Sequence, residues 1–239
     1  MLRLLRKEPS AVLFAVQLSG LLIYPFFEDS EAGRPLFSAF GILVLGLVVL
    51  AVRNSPGLTW FSITLGIPAT ILLIVQAVTL DDDLLPYSSA LEAVLYFYAA
   101  YALLAYMLED HEITRDELFA VGATFTLVAW GFAYLYVVVQ AIEPDSFTAA
   151  VDAGGDRSWT ELLYLSITTL TSTGLSDIVP VKDFARGVVM FEQLAGLGYV
   201  AVFVSRLVAL TIRRPLQASE SPQRDDGGGT SGPGQPRQE

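Results

Sequence analysis

The sequence predicts an all-α, polytopic membrane protein with six transmembrane helices and one shorter re-entrant helix per chain. Three observations carry this reading. Apolar types make up 53% of the 239 residues and charged types 16%, whereas an average soluble domain is nearer a quarter charged. Six long apolar stretches follow one another, separated by loops that hold the breakers and the charges. A further apolar segment, 159–171, is too short to cross a bilayer and too apolar for a free loop. Mean hydropathy is +0.53.

The apolar stretches are 11–27, 36–52, 58–79, 87–108, 118–142 and 184–212. A crossing helix needs roughly 20 mostly apolar residues, with a range of about 17–25, so the first two stretches are short and the last is long. The intervening loops are 28–35, 53–57, 81–86 and 109–117. Arg3, Arg6 and Lys7 before an apolar run resemble a secretory signal. The run is long for one, however, and no small-x-small cleavage site follows, so we expect a retained first span. With both termini inside, Arg3, Arg6, Lys7, Arg53, Arg115, Arg213 and Arg214 lie on the cytoplasmic side, and only Arg34, Arg157, Lys182 and Arg186 lie outside. That bias follows the positive-inside rule, and it predicts a multi-pass protein of the cell membrane. The expected organisation is a cytoplasmic N-terminus at 1–10, a four-helix scaffold at 11–113, a second unit at 114–212 and a disordered cytoplasmic tail at 213–239, rich in Gly, Ser, Gln, Pro and charge.

Two helix starts are signalled by capping boxes: Thr114 with Glu117, opening the fifth span, and Ser158 with Glu161, opening the short segment. A short apolar helix followed by a polar, Gly-containing turn fits a re-entrant element buried in protein.

Composition excludes several function classes. There is no cysteine, and His111 is the only histidine, which removes cysteine nucleophiles, His-paired catalysis and most zinc sites. No enzyme chemistry, small-molecule substrate or cofactor is expected. A net charge of -11, from 25 acidic and 14 basic residues, argues against nucleic acid, because phosphate contact needs clustered Lys and Arg.

The chemistry lies in residues 166–181, S-I-T-T-L-T-S-T-G-L-S-D-I-V-P-V. This run resembles the pore helix and selectivity filter of the tetrameric potassium channel superfamily, whose pattern is T-x-x-T-x-G-x-G-D, often followed by a proline. Thr171, Ser172, Thr173, Gly174, Leu175, Ser176 and Asp177 fill the end of the helix and the filter, and Pro180 follows. The sixth span adds Arg186 near its outer end and Gly196 where the family often has a hinge glycine. The resemblance covers about 100 residues, 114–212. It implies a pore domain of outer helix, pore helix, filter and inner helix, with four chains around one axis. It extends to prokaryotic six-span, single-loop channels without sensor arginines or a cytoplasmic regulatory domain.

Physics asks for these residue types. A dehydrating cation needs oxygens in place of its water shell, and rings of backbone carbonyls supply them. Potassium is expected at Ser172, Thr173 and Gly174, with the Ser172 hydroxyl as the innermost ring and the carbonyl end of the pore helix facing the cavity ion. The sequence departs from the pattern at three places. Leu175 replaces the usual aromatic and loses its hydroxyl tie to the pore helix. Ser176 replaces the second glycine and resists a left-handed backbone, which costs a non-Gly residue roughly 1–2 kcal/mol. Thr173 places a polar group behind the filter. The outer filter is therefore expected to be distorted and the preference for potassium lowered.

Helical spacing places Leu197, Val200, Val204 and Val208 on one face below Gly196, the expected apolar gate. Glu192, an acid inside the sixth span, is expected behind the filter, holding Thr168 or Thr169. The fourth span has no Arg or Lys ladder, so no voltage sensor is predicted, and the first four spans are expected to act as a scaffold. Gln17, Glu92 and Gln140 are expected to be satisfied polar groups between helices, and Arg206 to reach the cytoplasmic headgroups. Asp81, Asp82 and Asp83 lack calcium-loop spacing, and they and His111 are expected to be solvated. The functional expectation is passive conduction of potassium by a homotetramer in the bilayer, gated by no appended domain. Two alternatives stand beside it: a weakly selective potassium/sodium channel, and a non-conducting membrane subunit that scaffolds or modulates a partner.

Overall fold

In the computed structural model the described residues are 8–26, 39–44, 46–47, 64, 66–72, 74–75, 84–109 and 115–219. Helix α1 (Pro9–Ile23) begins on a proline, whose fixed φ suits a first helical turn. Asp116 supplies its cap from a distant part of the chain, accepting from Ser10 N at 3.1 Å and Ser10 Oγ at 2.9 Å. A 3₁₀ turn, Tyr24–Phe26, ends it. Helix α2 is Leu85–Glu109, and helix α3 is Arg115–Ile142, with Asp116 and Glu117 favouring its first turn. A three-residue strand β1 (Phe147–Ala149), a short helix α4 (Trp159–Leu170), a strand β2 (Ile178–Pro180) and a long helix α5 (Asp183–Ser219) follow.

Among the described residues, four helices are long and apolar enough to cross a membrane: Pro9–Phe26, Leu85–Leu108, Asp116–Ile142 and Asp183–Ser205. They match the first, fourth, fifth and sixth expected spans. Within 36–52 and 58–79, residues 39–44, 46–47, 64, 66–72 and 74–75 are helical, and the rest lie outside the described residues. So do Thr114, the acidic run Asp81, Asp82 and Asp83, His111, and the side chain of Arg206. The last helix runs past 212, where the tail was expected to start, to Ser219.

Helices α1 and α3 lie side by side and run the same way. Ser10 meets Asp116, Phe14 lies against Gly122, and Gly20 faces Trp130. Parallel spans require an odd number of crossings between them, which both the α2 crossing alone and α2 with two more crossings provide. Among the described residues the α2–α3 pair makes the most extensive helix–helix packing. Ala93, Ala99, Ala100, Ala129 and Ala133 are all buried in this core, and such small residues let helix backbones approach closely where lipid provides no hydrophobic drive.

The all-α expectation missed one element. Strands β1 and β2 form an antiparallel ribbon, with Phe147 opposite Pro180 and Ala149 opposite Ile178, extended by Val181 N to Ser146 O at 2.9 Å. Phe147, Ala149 and Ile178 point inward and are buried. Strands of three residues that pair about 30 residues apart leave no periodicity for a sequence reading to detect.

Candidate functional site

Helix α4 positions the site, and its start is fixed as the capping box predicted. Glu161 N donates to Ser158 Oγ at 3.3 Å, and Ser158 N donates to the Glu161 carboxylate at 2.8 Å. Trp159, the first residue of α4, sits in an aromatic cluster. Its ring lies 5.3 Å from Tyr24, 5.4 Å from Trp130 and 5.5 Å from Tyr134, and Tyr96 and Phe40 extend the cluster. The loop before α4 is held by Gln140, which brackets the Arg157 backbone with bonds of 2.9 and 3.0 Å. The buried Arg157 guanidinium in turn donates to the carbonyls of Asp152, Gly154 and Gly155.

The C-terminal end of α4 folds back on itself. Thr171 N bonds to Ile167 O and Ser172 N to Thr169 O, while Thr173 N and Gly174 N both bond to Thr168 O, at 2.9 and 3.1 Å. The Thr171 hydroxyl donates to Ile167 O at 2.7 Å, and the Thr173 hydroxyl donates to Thr168 O at 3.2 Å. Thr173 therefore turns its polar group toward the helix, as expected. The helix-end carbonyls of Ile167, Thr168 and Thr169 are engaged by the returning chain, so the free carbonyl end expected to face an ion is mostly capped.

Positive φ occurs at Ser172 (57°) and Gly174 (63°). Ser176, expected to resist that geometry, does not adopt it; its Oγ instead accepts from Ile178 N at 3.0 Å. Within this segment the non-Gly residue that carries the left-handed cost of roughly 1–2 kcal/mol is Ser172, at which the sequence reading did not expect it. Residues 171–175 and Asp177 are exposed in the single chain.

Glu192 is fully buried in α5 and does reach α4. It meets Ser166, one turn earlier than Thr168 or Thr169, the two residues expected. The Glu192 carboxyl group bonds the Ser166 hydroxyl and accepts from Tyr136 of α3, and Ser166 Oγ also donates to Ala129 O at 2.8 Å. Thr168 spends its hydroxyl on Leu165 O in its own helix. Sequence reasoning missed Ser166 and Tyr136, although a hydroxyl on the buried stripe of an apolar helix is a usable signal for a partner acid. Gln140 is satisfied as expected, whereas Glu92 bonds Tyr134 but leaves its Oε1 buried without a hydrogen-bond partner among the described residues. Gln17 is buried with no hydrogen-bond partner among the described residues, contrary to expectation.

Gly196 has a packing reason to be glycine. A Cβ there would collide with the Leu170 carbonyl oxygen and lie 2.9 Å from its carbon and 3.0 Å from its Cα. Helix α5 passes through Gly196 unbroken. Below it, Leu197, Val200, Val204 and Val208 are all exposed, as are Met190, Phe191 and Leu194. In its apolar window α5 buries 17% of residues, against 67% for α3.

The ion-channel family model matches residues 122–213, from within α3 to within α5. Two relatives named protein LctB are similar to this chain. That of Geobacillus stearothermophilus is 34% identical over 107 residues, covering 44% of this chain and 79% of the relative. That of Bacillus caldotenax is 30% identical over 101 residues, covering 41% and 75%. No solved structure matches. The matched region holds two apolar membrane helices with α4 and its back-folded loop between them, and the chain belongs to the ion-channel family as a member of the potassium-channel superfamily.

Proposed function

We propose that four copies assemble around the segments 172–176 to form a passive cation channel, with potassium the first ion conducted. The observation that carries this is the backbone of that segment. Thr173 and Gly174 turn their amides back onto Thr168 O, and no hydrogen bond reaches the carbonyls of Ser172, Thr173 or Gly174 among the described residues. Left-handed residues at 172 and 174 alternate with one that is not, which sets successive amides on one side and carbonyls on the other. Oxygens so aligned, with the Ser172 hydroxyl beneath them, suit a dehydrated cation once copies close a ring. The bare sides of α5 favour that closure. A helix so apolar and so little covered by its own chain fits the place where copies meet, with Leu197, Val200, Val204 and Val208 turned to the axis as an apolar gate.

Asp177 stands at the outer mouth, both termini are cytoplasmic, and Glu192 acts through Ser166 to hold α4 in place. The backbone of Ser176 favours a reduced preference for potassium over sodium. Purified chain in liposomes tests the reading: potassium flux supports it, mixed potassium and sodium flux supports the weakly selective form, and no flux supports a non-conducting subunit. Mass measurement in a native membrane mimic should give the tetramer, and a persistent monomer or dimer would count against the ring.

A further inference from the structure

The bonds around 172–176 divide the segment in two. On its inner part the amides of Thr173 and Gly174 face α4, and the carbonyls of Ser172, Thr173 and Gly174 accept no hydrogen bond among the described residues. On its outer part the left-handed alternation stops, because Ser176 is not left-handed. There the Leu175 carbonyl accepts a hydrogen bond from the Tyr164 hydroxyl at 3.1 Å. Tyr164 stands on α4, the side toward which the Thr173 and Gly174 amides point. The Leu175 carbonyl is thus held toward α4, whereas the three before it accept no hydrogen bond among the described residues.

We propose that Tyr164 is a specificity-determining residue, whose hydroxyl holds the Leu175 carbonyl against α4 and removes it from the ion-coordinating rings. This rests on the channel reading above. In a fourfold assembly the Ser172 hydroxyls and the carbonyls of Ser172, Thr173 and Gly174 make stacked rings, and a cation sits between successive rings. Those rings enclose three positions. A fourth, between Gly174 and Leu175, lacks its outer ring, so an ion there keeps water on its outer side. Discrimination between potassium and sodium depends on replacing the hydration shell with oxygens of defined number and field, so each position left hydrated lowers it. The lost aromatic at 175 is thereby only part of the account. The pore helix supplies a hydroxyl of its own, and that hydroxyl acts on the filter backbone.

Tyr164 is 46% exposed in the chain, and Tyr164→Phe removes one oxygen without opening a cavity, so the variant tests the bond rather than the fold. Full-length wild type and Y164F are compared in planar bilayers under bi-ionic potassium and sodium, and in crystals soaked in thallium. We expect three thallium positions on the axis of the wild type and four in Y164F, with the potassium-to-sodium permeability ratio at least threefold higher in Y164F. Four positions in the wild type overturn the proposal whatever the variant does. An unchanged or lower ratio in Y164F overturns it as well, the latter by showing that Tyr164 props the outer ring in place. A wild type that conducts no cation overturns the channel reading itself, and a conducting wild type with an unmoved variant overturns this inference alone.

Discussion

Replacing Gly196 by alanine tests the contact between α5 and the end of α4. The added methyl would lie 2.9 Å from the Leu170 carbonyl carbon and 3.0 Å from its Cα, and nearer still to its oxygen. Non-bonded carbon pairs prefer about 3.5–4.0 Å, so the two helices must separate by roughly 1 Å. The atoms in the way are backbone and cannot swing aside as a side chain would. Overpacking of this kind costs about 1–3 kcal/mol, against a helix-propensity gain from Gly to Ala of at most about 1 kcal/mol. The functional loss should exceed the loss of stability. Leu170 is two residues before Ser172, and a coordinating site must be held to within about 0.5 Å. Gly198→Ala is the control, because its Cβ meets nothing within 4 Å in the chain. Thermal unfolding and liposome potassium flux of the full-length protein should show G196A less stable and nearly silent, with G198A at least as stable as wild type. A G196A variant with wild-type stability and flux would show that α4 does not rest on this glycine.

Four further outcomes are expected. Glu192→Gln can still accept from Tyr136 and donate to Ser166, and should keep most of the thermal stability. Glu192→Ala leaves the buried Tyr136 hydroxyl without its partner, at about 1–3 kcal/mol, while Ser166 keeps Ala129 O, and the variant should unfold at a lower temperature. Trp159→Ala removes three ring contacts from the aromatic cluster and, because Trp159 is only partly buried, should cost less than the roughly 3–5 kcal/mol of a fully buried change, read as a lower unfolding temperature together with loss of flux. Asp177→Asn should reduce potassium flux in about 0.01 M salt and leave it unchanged in about 1 M, because screening shrinks the reach of that charge from about 30 Å to about 3 Å. Channel opening should depend weakly on voltage in single-channel records, since residues 87–108 hold no Arg or Lys and each charge moved is worth about 2.3 kcal/mol per 100 mV.

What the sequence made legible follows from the range of each signal. The start of α4 was readable to the residue, because Ser158 and Glu161 make a local pattern with one geometric solution. The outer and inner helices were readable because 18 or more apolar residues have few alternatives. Glu192 was readable as a residue with a partner on α4, but not as a partner of Ser166. Along a helix, neighbouring turns differ by about 5.4 Å, and spacing alone cannot fix the rotation of α5 against α4. The β1–β2 ribbon and the Tyr164–Leu175 bond were not readable, because each depends on where a loop returns in space. The strain at Ser172 was hidden for a different reason. A glycine at 174 advertises its angle by its identity, whereas a serine forced into the same region by its neighbours does not.

The first helix belongs to the channel more closely than a lipid-facing scaffold would. The family match begins at Gly122, yet the 3₁₀ turn that ends α1 touches the short helix of the matched region directly, through Tyr24 on Trp159. Its other end is bound to the start of α3 through Ser10 and Asp116, and Phe14 fills the space left by Gly122. Helix α1 thus spans from the entry of α3 to the entry of α4. Those two points set the tilt of α4, because its far end rests on Gly196 and its middle is bound through Ser166 to Glu192. Weakening the Ser10–Asp116 bonds by Asp116→Asn should loosen this strut without touching α4 or the loop after it. A charged acceptor bonded to a main-chain amide and a hydroxyl is worth about 1.5–3 kcal/mol, and the asparagine keeps only part of it. If α1 were merely a lipid-facing cover, D116N would leave the unitary conductance and permeability ratio unchanged and lower only the stability. If α1 braces α4, the same variant should also shift the permeability ratio, although Asp116 lies in the first turn of α3, outside α4 and the loop after it.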